Sequence, residues 1–196
     1  MKLLVTGIIF FEALVCGCAN NKVQPPLQDS VAVEKKDYFP VLDFLKGEIA
    51  YVDSFPLRII KYTISGSHKD SSIIQSTAFD DLAKKFLSPE LEKAAFEKEF
   101  KESSFLDQTS QSLSFTYSTQ NNGLQIQRVD VLASPSLGFD KVKSIYLEKL
   151  SHSQDSTIIE KMYWRSRSNF QIIRILELPN HTSTSSQLKV VWDNKD

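Results

Sequence analysis

Apolar residues first recur at helical intervals. Leu42, Leu45, Ile49 and Val52 stand three or four apart, which predicts a helix burying one stripe, opening near Asp37 and Pro40 and weakened at Gly47. Leu57 to Ser65 is then rich in β-branched and aromatic residues, and Gly66-Ser67-His68-Lys69-Asp70 supplies turn chemistry before Ser72 to Thr77, so a short hairpin is expected. Behind it, Phe79, Leu82, Ala83, Phe86 and Leu87 return to helical spacing, with Thr77 three residues before Asp80 in the manner of a capping box. Asp80 with Lys84, and Asp81 with Lys85, stand acid-first at four-residue spacing, worth about a few tenths of a kcal/mol per pair. Ser88-Pro89-Glu90 restarts a helix by the rule of N-cap then proline, carrying Leu91, Ala94, Ala95 and Phe100.

From Leu113 onward the pattern changes to strand-forming runs separated by turns. Six strands are expected, around 113–119, 124–133, 141–150, 157–164, 170–178 and 187–193, the signature of an antiparallel meander. Asn121-Asn122-Gly123 predicts a tight hairpin with positive φ at adjacent positions, and Ser134-Pro135-Ser136-Leu137-Gly138 closes the next pair. The strands do not alternate cleanly. Ile158, Met162 and Trp164 share one face of their strand while Ile159 and Tyr163 share the other, and Phe170, Ile172, Leu176 and Leu178 oppose Ile173 and Ile175. Helices cover one face; the other is left to curvature, to the 57–77 hairpin or to a ligand. The fold class is therefore α+β, with N-terminal helices packed on a mainly antiparallel meander of about six strands plus a short hairpin.

The first residues carry an address rather than a fold. Lys2 gives a positive start, Leu3 to Val15 an apolar run, and Gly17-Cys18 the small residue and cysteine at which a lipoprotein signal is cut. Cys16 would put β-branched Val15 before the cut, so Cys18 is the expected lipidation site. The apolar run is shorter than the ~20 residues of a membrane span, and Glu12 interrupts it. Residues 1–17 then form a signal peptide, 18–36 a lipidated cysteine with a flexible tether containing Pro25-Pro26, and 37–196 a single α+β domain. Two or three acyl chains at ~0.8 kcal/mol per buried methylene make a permanent membrane anchor. Ala19 and Asn20 after the cysteine resemble the residues of lipoproteins released to the outer membrane, facing the periplasm.

Charge and chemistry narrow the function classes. A formal net charge of −1 offers no basic field for nucleic acid. With Cys18 acylated and Cys16 removed, no thiol remains for a disulfide, a nucleophile or a thiolate metal site. His68, His152 and His181 lie in polar turns, and the pairs His68/Asp70 and His152/Asp155 lack a third ligand. Neither a phosphate loop, a G-x-S-x-G elbow, an H-E-x-x-H helix nor a dinucleotide fingerprint occurs, so neither a cofactor nor a catalytic residue is assigned. In-strand charges Arg128, Asp130, Glu148, Glu160 and Arg174 read as a solvated, ion-paired face or, in the sharper reading, as a hydrolytic centre built from Asp130, Glu160 and Arg174.

Two stretches, Tyr38-Phe39-Pro40-Val41-Leu42-Asp43-Phe44-Leu45-Lys46-Gly47-Glu48-Ile49 and Ser104-Phe105-Leu106-Asp107-Gln108-Thr109, resemble those of uncharacterised lipoproteins of Bacteroidetes. The resemblance implies an envelope setting and a helix-plus-meander domain, and no activity. Phe105-Leu106-Asp107-Gln108 reads as a corner before the first meander strand, with Asp107 bonding local backbone amides. The sequence thus points to a non-catalytic, membrane-tethered envelope protein with a binding or accessory role toward a protein or lipid-like partner, and, where the meander curves, Tyr146, Met162, Tyr163 and Trp164 are candidate lining residues on one or other face. A carrier of hydrophobic ligands and a hydrolase using in-strand carboxylates are the alternatives. A dry pocket, converging carboxylates, or a filled core with a flat exposed patch separate the three.

Overall fold

Among the described residues, strand-forming runs joined by short turns build one antiparallel sheet of nine strands, on which three helices pack. A computed structural model describes residues 37–135, 141–180 and 182–192, all within the unit Lys36–Asp196. In chain order the elements are α1 (Val41–Asp53), β1 (Ile59–Ser65), β2 (His68–Ile74), α2 (Ser76–Ala83), two 3-10 turns (Lys84–Phe86 and Pro89–Leu91) and α3 (Lys93–Glu99). The remaining strands are β3 (Lys101–Asp107), β4 (Ser112–Ser118), β5 (Ile126–Ala133), β6 (Val142–His152), β7 (Thr157–Arg165), β8 (Asn169–Glu177) and β9 (Ser183–Val191). Across the sheet the order is β2-β1-β9-β8-β7-β6-β5-β4-β3, so β3 to β9 form a continuous meander and β1 returns beside β9.

Period-two alternation decides which side chains meet the helices. Tyr117, Val129, Leu147, Met162 and Ile172 fall in one lateral row across five strands, and all are buried. The neighbouring inner row holds Val131, Ile145, Trp164, Phe170 and Val190. Against it the helical segments place Phe79 and Phe86, whose rings meet Trp164 edge-on at centroid distances of 6.4 and 5.1 Å. Phe170 and Trp192 complete the cluster, 5.3 Å from Trp164 in each case. Such edge-on and offset contacts add about 0.5–1.5 kcal/mol per pair beyond burial. Polar contacts fix the helices at their ends. The Tyr38 hydroxyl donates to the Phe100 carbonyl at 3.0 Å, the Phe39 amide donates to the Tyr117 hydroxyl at 3.1 Å, and the Glu90 carboxylate accepts from the Gln125 and Ile126 amides at 2.8 Å each. Register shifts at Ile126/Arg128 and Leu132/Ala133 mark irregularities in the pairing of β5 with β6.

Several expectations are corrected. The sheet has nine strands, because Lys101–Asp107 is paired along its whole length with β4 and the β1–β2 hairpin joins the same sheet instead of covering a face. Only Phe105 and Leu106 are apolar in β3, so the strand has no burial pattern of its own and forms by backbone pairing. Asp107 nonetheless accepts from the Thr109 and Ser110 amides at 2.8 and 3.3 Å, the local bonding its corner position suggests. Thr77 makes no capping box: α2 begins after Gln75 without a side-chain cap. Lys84 pairs with Asp81 at three-residue spacing, where the sequence pattern had suggested Asp80. Ser88 does cap its turn, accepting from the Glu90 amide at 3.4 Å, but the turn is 3-10 and α3 restarts at Lys93. At Asn121-Asn122-Gly123 neither asparagine nor the glycine takes positive φ; the Asn121 side chain accepts from the Gly123 amide at 3.0 Å in a longer loop. Gly66, at φ +57 in the two-residue β1–β2 turn, is where glycine is required.

Candidate functional site

The face of the sheet turned away from the helices carries a mixed aromatic and polar surface. One lateral row runs through every strand in the order Ser71, Tyr62, Lys189, Gln171, Tyr163, Tyr146, Asp130, Thr116 and Ser103. Tyr62 and Tyr163 are 41% and 40% exposed, well above what a core tyrosine shows. Flanking rows add half-buried Ile64 and Ile173 on one side of that row and exposed Ile73 beyond it. Ile159 and Ile175 pair on the same face further toward the β6–β7 end. The acidic groups of this face at Asp130 and Glu148 already have donors. Asp130 accepts from Thr116 Oγ1 at 2.7 Å and from Arg128 Nε at 3.0 Å, and the Tyr146 hydroxyl donates to Glu148 at 2.8 Å. Burial, then the Glu148 carboxylate, push the Tyr146 phenol well above its ordinary pKa, so it remains a hydrogen-bond donor at every physiological pH.

This geometry divides the four candidate lining residues. Tyr146 and Tyr163 are direct cross-strand neighbours on the face away from the helices, which no other described element covers, whereas Met162 and Trp164 are fully buried under the helices. Cys18 and the segments 1–17 and 18–36 lie outside the described residues, as do His181 and Ser136 to Gly138. No described helix is long and apolar enough to cross a membrane.

Three charged residues of the inner face fall together on β6, β7 and β8. Glu160, Lys149 and Arg174 share one row, with Arg174 Nε 3.9 Å from Glu160. Lys149 Nζ donates to the Lys85 carbonyl, closing the 3-10 turn, and desolvation draws its pKa below the ordinary lysine value against the opposing pull of Glu160 and Glu90. Asp130 sits on the opposite face, so the structure does not bring Asp130, Glu160 and Arg174 together. His152 Nδ1 lies 3.1 Å from Thr157 Oγ1, and among the described residues no three His, Cys, Asp or Glu side chains are arranged to hold a metal. At the β6–β7 end a cleft of about 400 Å³ is lined chiefly by hydroxyls and amides of Ser153, Gln154, Ser156, Thr157 and Ser183, with Leu178 and Pro179 at its side.

Sequence reasoning missed a buried carboxylate. Glu48 is 3% exposed and accepts from Trp164 Nε1 at 3.2 Å, Ser166 Oγ at 3.3 Å and the Arg167 amide at 2.8 Å, while Arg167 Nε stands 3.1 Å away. The Arg167 guanidinium also lies 3.7 Å above the Tyr51 ring, and Arg167 itself takes φ +58. One face of α1 is thereby bolted to the β7–β8 turn. The available signal was Glu48 at i+3 from Leu45 and i−4 from Val52, an acid inside an apolar stripe.

An acid pair, Asp53 and Asp80, lies between α1 and α2. Burial, then the nearby Asp53 carboxylate, raise the Asp80 pKa, with Lys84 pulling the other way. Its Oδ1 is shielded from solvent and has no donor. A folded-state pKa above the unfolded value means that ionisation is penalised in the fold, and the penalty disappears as pH falls through the folded pKa toward the unfolded one. Asp80→Asn should therefore raise the urea midpoint at pH 7, and its advantage over wild type should vanish near pH 3. An equal advantage at both pH values would show that charge is not the cause.

No known family, curated protein or solved structure matches this chain.

Proposed function

We propose that this chain is a lipid-anchored envelope protein, acylated at Cys18, whose domain works by binding a protein partner and not by catalysis. The single observation that supports the binding reading is the division of the sheet. Helices and aromatic side chains fill the inner face, while Tyr62, Tyr163 and Tyr146 with neighbouring isoleucines lie along the uncovered one. Tyrosine combines large apolar area with a hydrogen-bonding tip and is favoured at interfaces for that reason. Carriage of a lipid-like ligand would need a dry cavity, and the inner face is occupied by the protein's own rings. Hydrolysis by in-strand carboxylates finds Asp130 and Glu160 on opposite sides of the sheet. The outer-membrane, periplasm-facing location rests on Gly17-Cys18-Ala19-Asn20.

Two measurements test the two halves of this reading. Intact mass of the chain extracted from its native host should correspond to a start at Cys18 plus acyl chains; a retained leader or a free thiol overturns the anchor. A photo-crosslinking residue at Tyr163 should give a discrete protein adduct in cells, and the same residue at exposed Phe55 should not. Equal labelling at both positions, or none at Tyr163, overturns the docking face.

A further inference from the structure

The sheet ends at β3, whose outer backbone edge has no neighbouring strand among the described residues. Lys101, Ser103, Ser104, Phe105 and Leu106 are all exposed, and Phe105 at 67% is the most exposed large apolar side chain among the described residues. Edge strands are commonly guarded by charge, because unpaired amides and carbonyls recruit another strand. Here the charges are placed with a symmetry about Ser104. Lys101 and Asp107 stand three residues to either side of it, on the same face as Phe105 and Ser103.

We propose that β3 pairs with β3 of a second copy of this chain, antiparallel and centred on Ser104, so that the sheet continues across a two-fold axis. In that register Lys101 faces Asp107 of the second copy, twice, and Ser103 faces Phe105 of the second copy, twice. The two Phe105 rings lie one diagonal apart on one face, about 7–8 Å, within reach of each other. On the other face Glu102 meets Leu106, a neutral pairing. The Asp107 carboxylate is held in place and held ionised: the Ser110 hydroxyl, then the Ser110 and Thr109 amides, lower its pKa. Those three bonds use three of the roughly four acceptor positions of a carboxylate, leaving one for a lysine. The opposite edge lacks this pattern. Centring β2 on Ser71 sets Lys69 against Ile73 and His68 against Ile74, with no charge pairing. Joining β2 to β3 instead would be head-to-tail and would build open filaments in place of a closed pair. The inference is independent of the docking face, which lies on the flat of the sheet and not at its edge.

The test is oxidative cross-linking of the full chain in cells of its native host. Ser104→Cys should give a covalent dimer that wild type, with only Cys16 and Cys18, does not. Lys101→Cys alone should give none, since two such residues lie six residues apart along the ladder, about 20 Å, whereas Lys101→Cys with Asp107→Cys should cross-link. Adding Lys101→Asp to Ser104→Cys should lower the dimer roughly two- to thirtyfold, the loss of two cross-strand ion pairs, and adding Asp107→Lys should restore it. All these positions are on the exposed edge, and unchanged circular dichroism confirms the fold. A Ser104→Cys adduct to a different protein, cross-linking at Ser71→Cys in its place, failure of the charge swap to restore the dimer, or a folded Ser104→Cys chain that stays monomeric would each overturn the proposal.

Discussion

Glu48→Ala is expected to destabilise the domain by about 2–5 kcal/mol, the cost of leaving the donors to a buried carboxylate without their acceptor. The carboxylate serves donors from the β7–β8 turn and from the indole of Trp164, which is fully buried. Without it, the indole N–H and the Arg167 amide lose their acceptor, and each buried unmet donor costs about 1–3 kcal/mol. Arg167, 54% exposed, can turn to water, so its share of the loss is the smaller one. Urea unfolding of Glu48→Ala, Arg167→Ala and the double variant separates the contributions. The single carboxylate change should cost more than the single arginine change, and the double should cost less than their sum. Equal costs would mean that the pair, and not the indole and amide bonds, dominates. Since natural domains hold only about 5–15 kcal/mol, the Glu48 variant should also be markedly more sensitive to proteolysis.

What could be read in the sequence follows from how strongly each segment's own pattern is bound to burial. The strands from β4 to β9 alternate or run apolar and are bounded by turn residues, so their presence was legible, with ends shifted by a few residues. In β3, Lys-Glu-Ser-Ser-Phe-Leu-Asp carries no apolar period, and its state is decided by pairing with β4, a contact that local pattern does not encode. The tight turn expected at Asn121-Asn122-Gly123 gave way to a longer loop because Asn121 bonds the Gly123 amide and Glu99 accepts from Asn121 Nδ2 at 3.1 Å, a bond from α3 that lies 22 residues away in sequence. The same limit applies to the candidate site. Both faces of β7 are apolar in sequence, and adjacent residues on one strand necessarily point to opposite sides, so the pattern separates Met162 and Trp164 from Tyr163 without saying which side stays open. Which side the helices would cover was set by Phe79 and Phe86 meeting Trp164, a tertiary fact.

That division yields the sharpest contrast between neighbouring residues. Trp164→Ala should cost about 3–5 kcal/mol, the range for truncating a buried aromatic, because it empties the space among Phe79, Phe86, Phe170 and Trp192 and deprives Glu48 of one donor. Tyr163→Ala, one residue earlier and 40% exposed, should stay within about 1 kcal/mol, since it removes only cross-strand contact with Tyr146 and Gln171. Denaturant unfolding reads the first quantity, and the photo-adduct yield from a crosslinker placed at Tyr146 reads the partner's occupancy of the face. If the face is functional, Tyr163→Ala lowers that yield while the urea midpoint hardly moves, and Ile173→Ser on the same face does likewise. A Tyr163→Ala chain that unfolds as readily as Trp164→Ala would mean that this face is covered in the native protein by something that holds the fold together, which would turn the tyrosine row from a docking surface into part of a larger core.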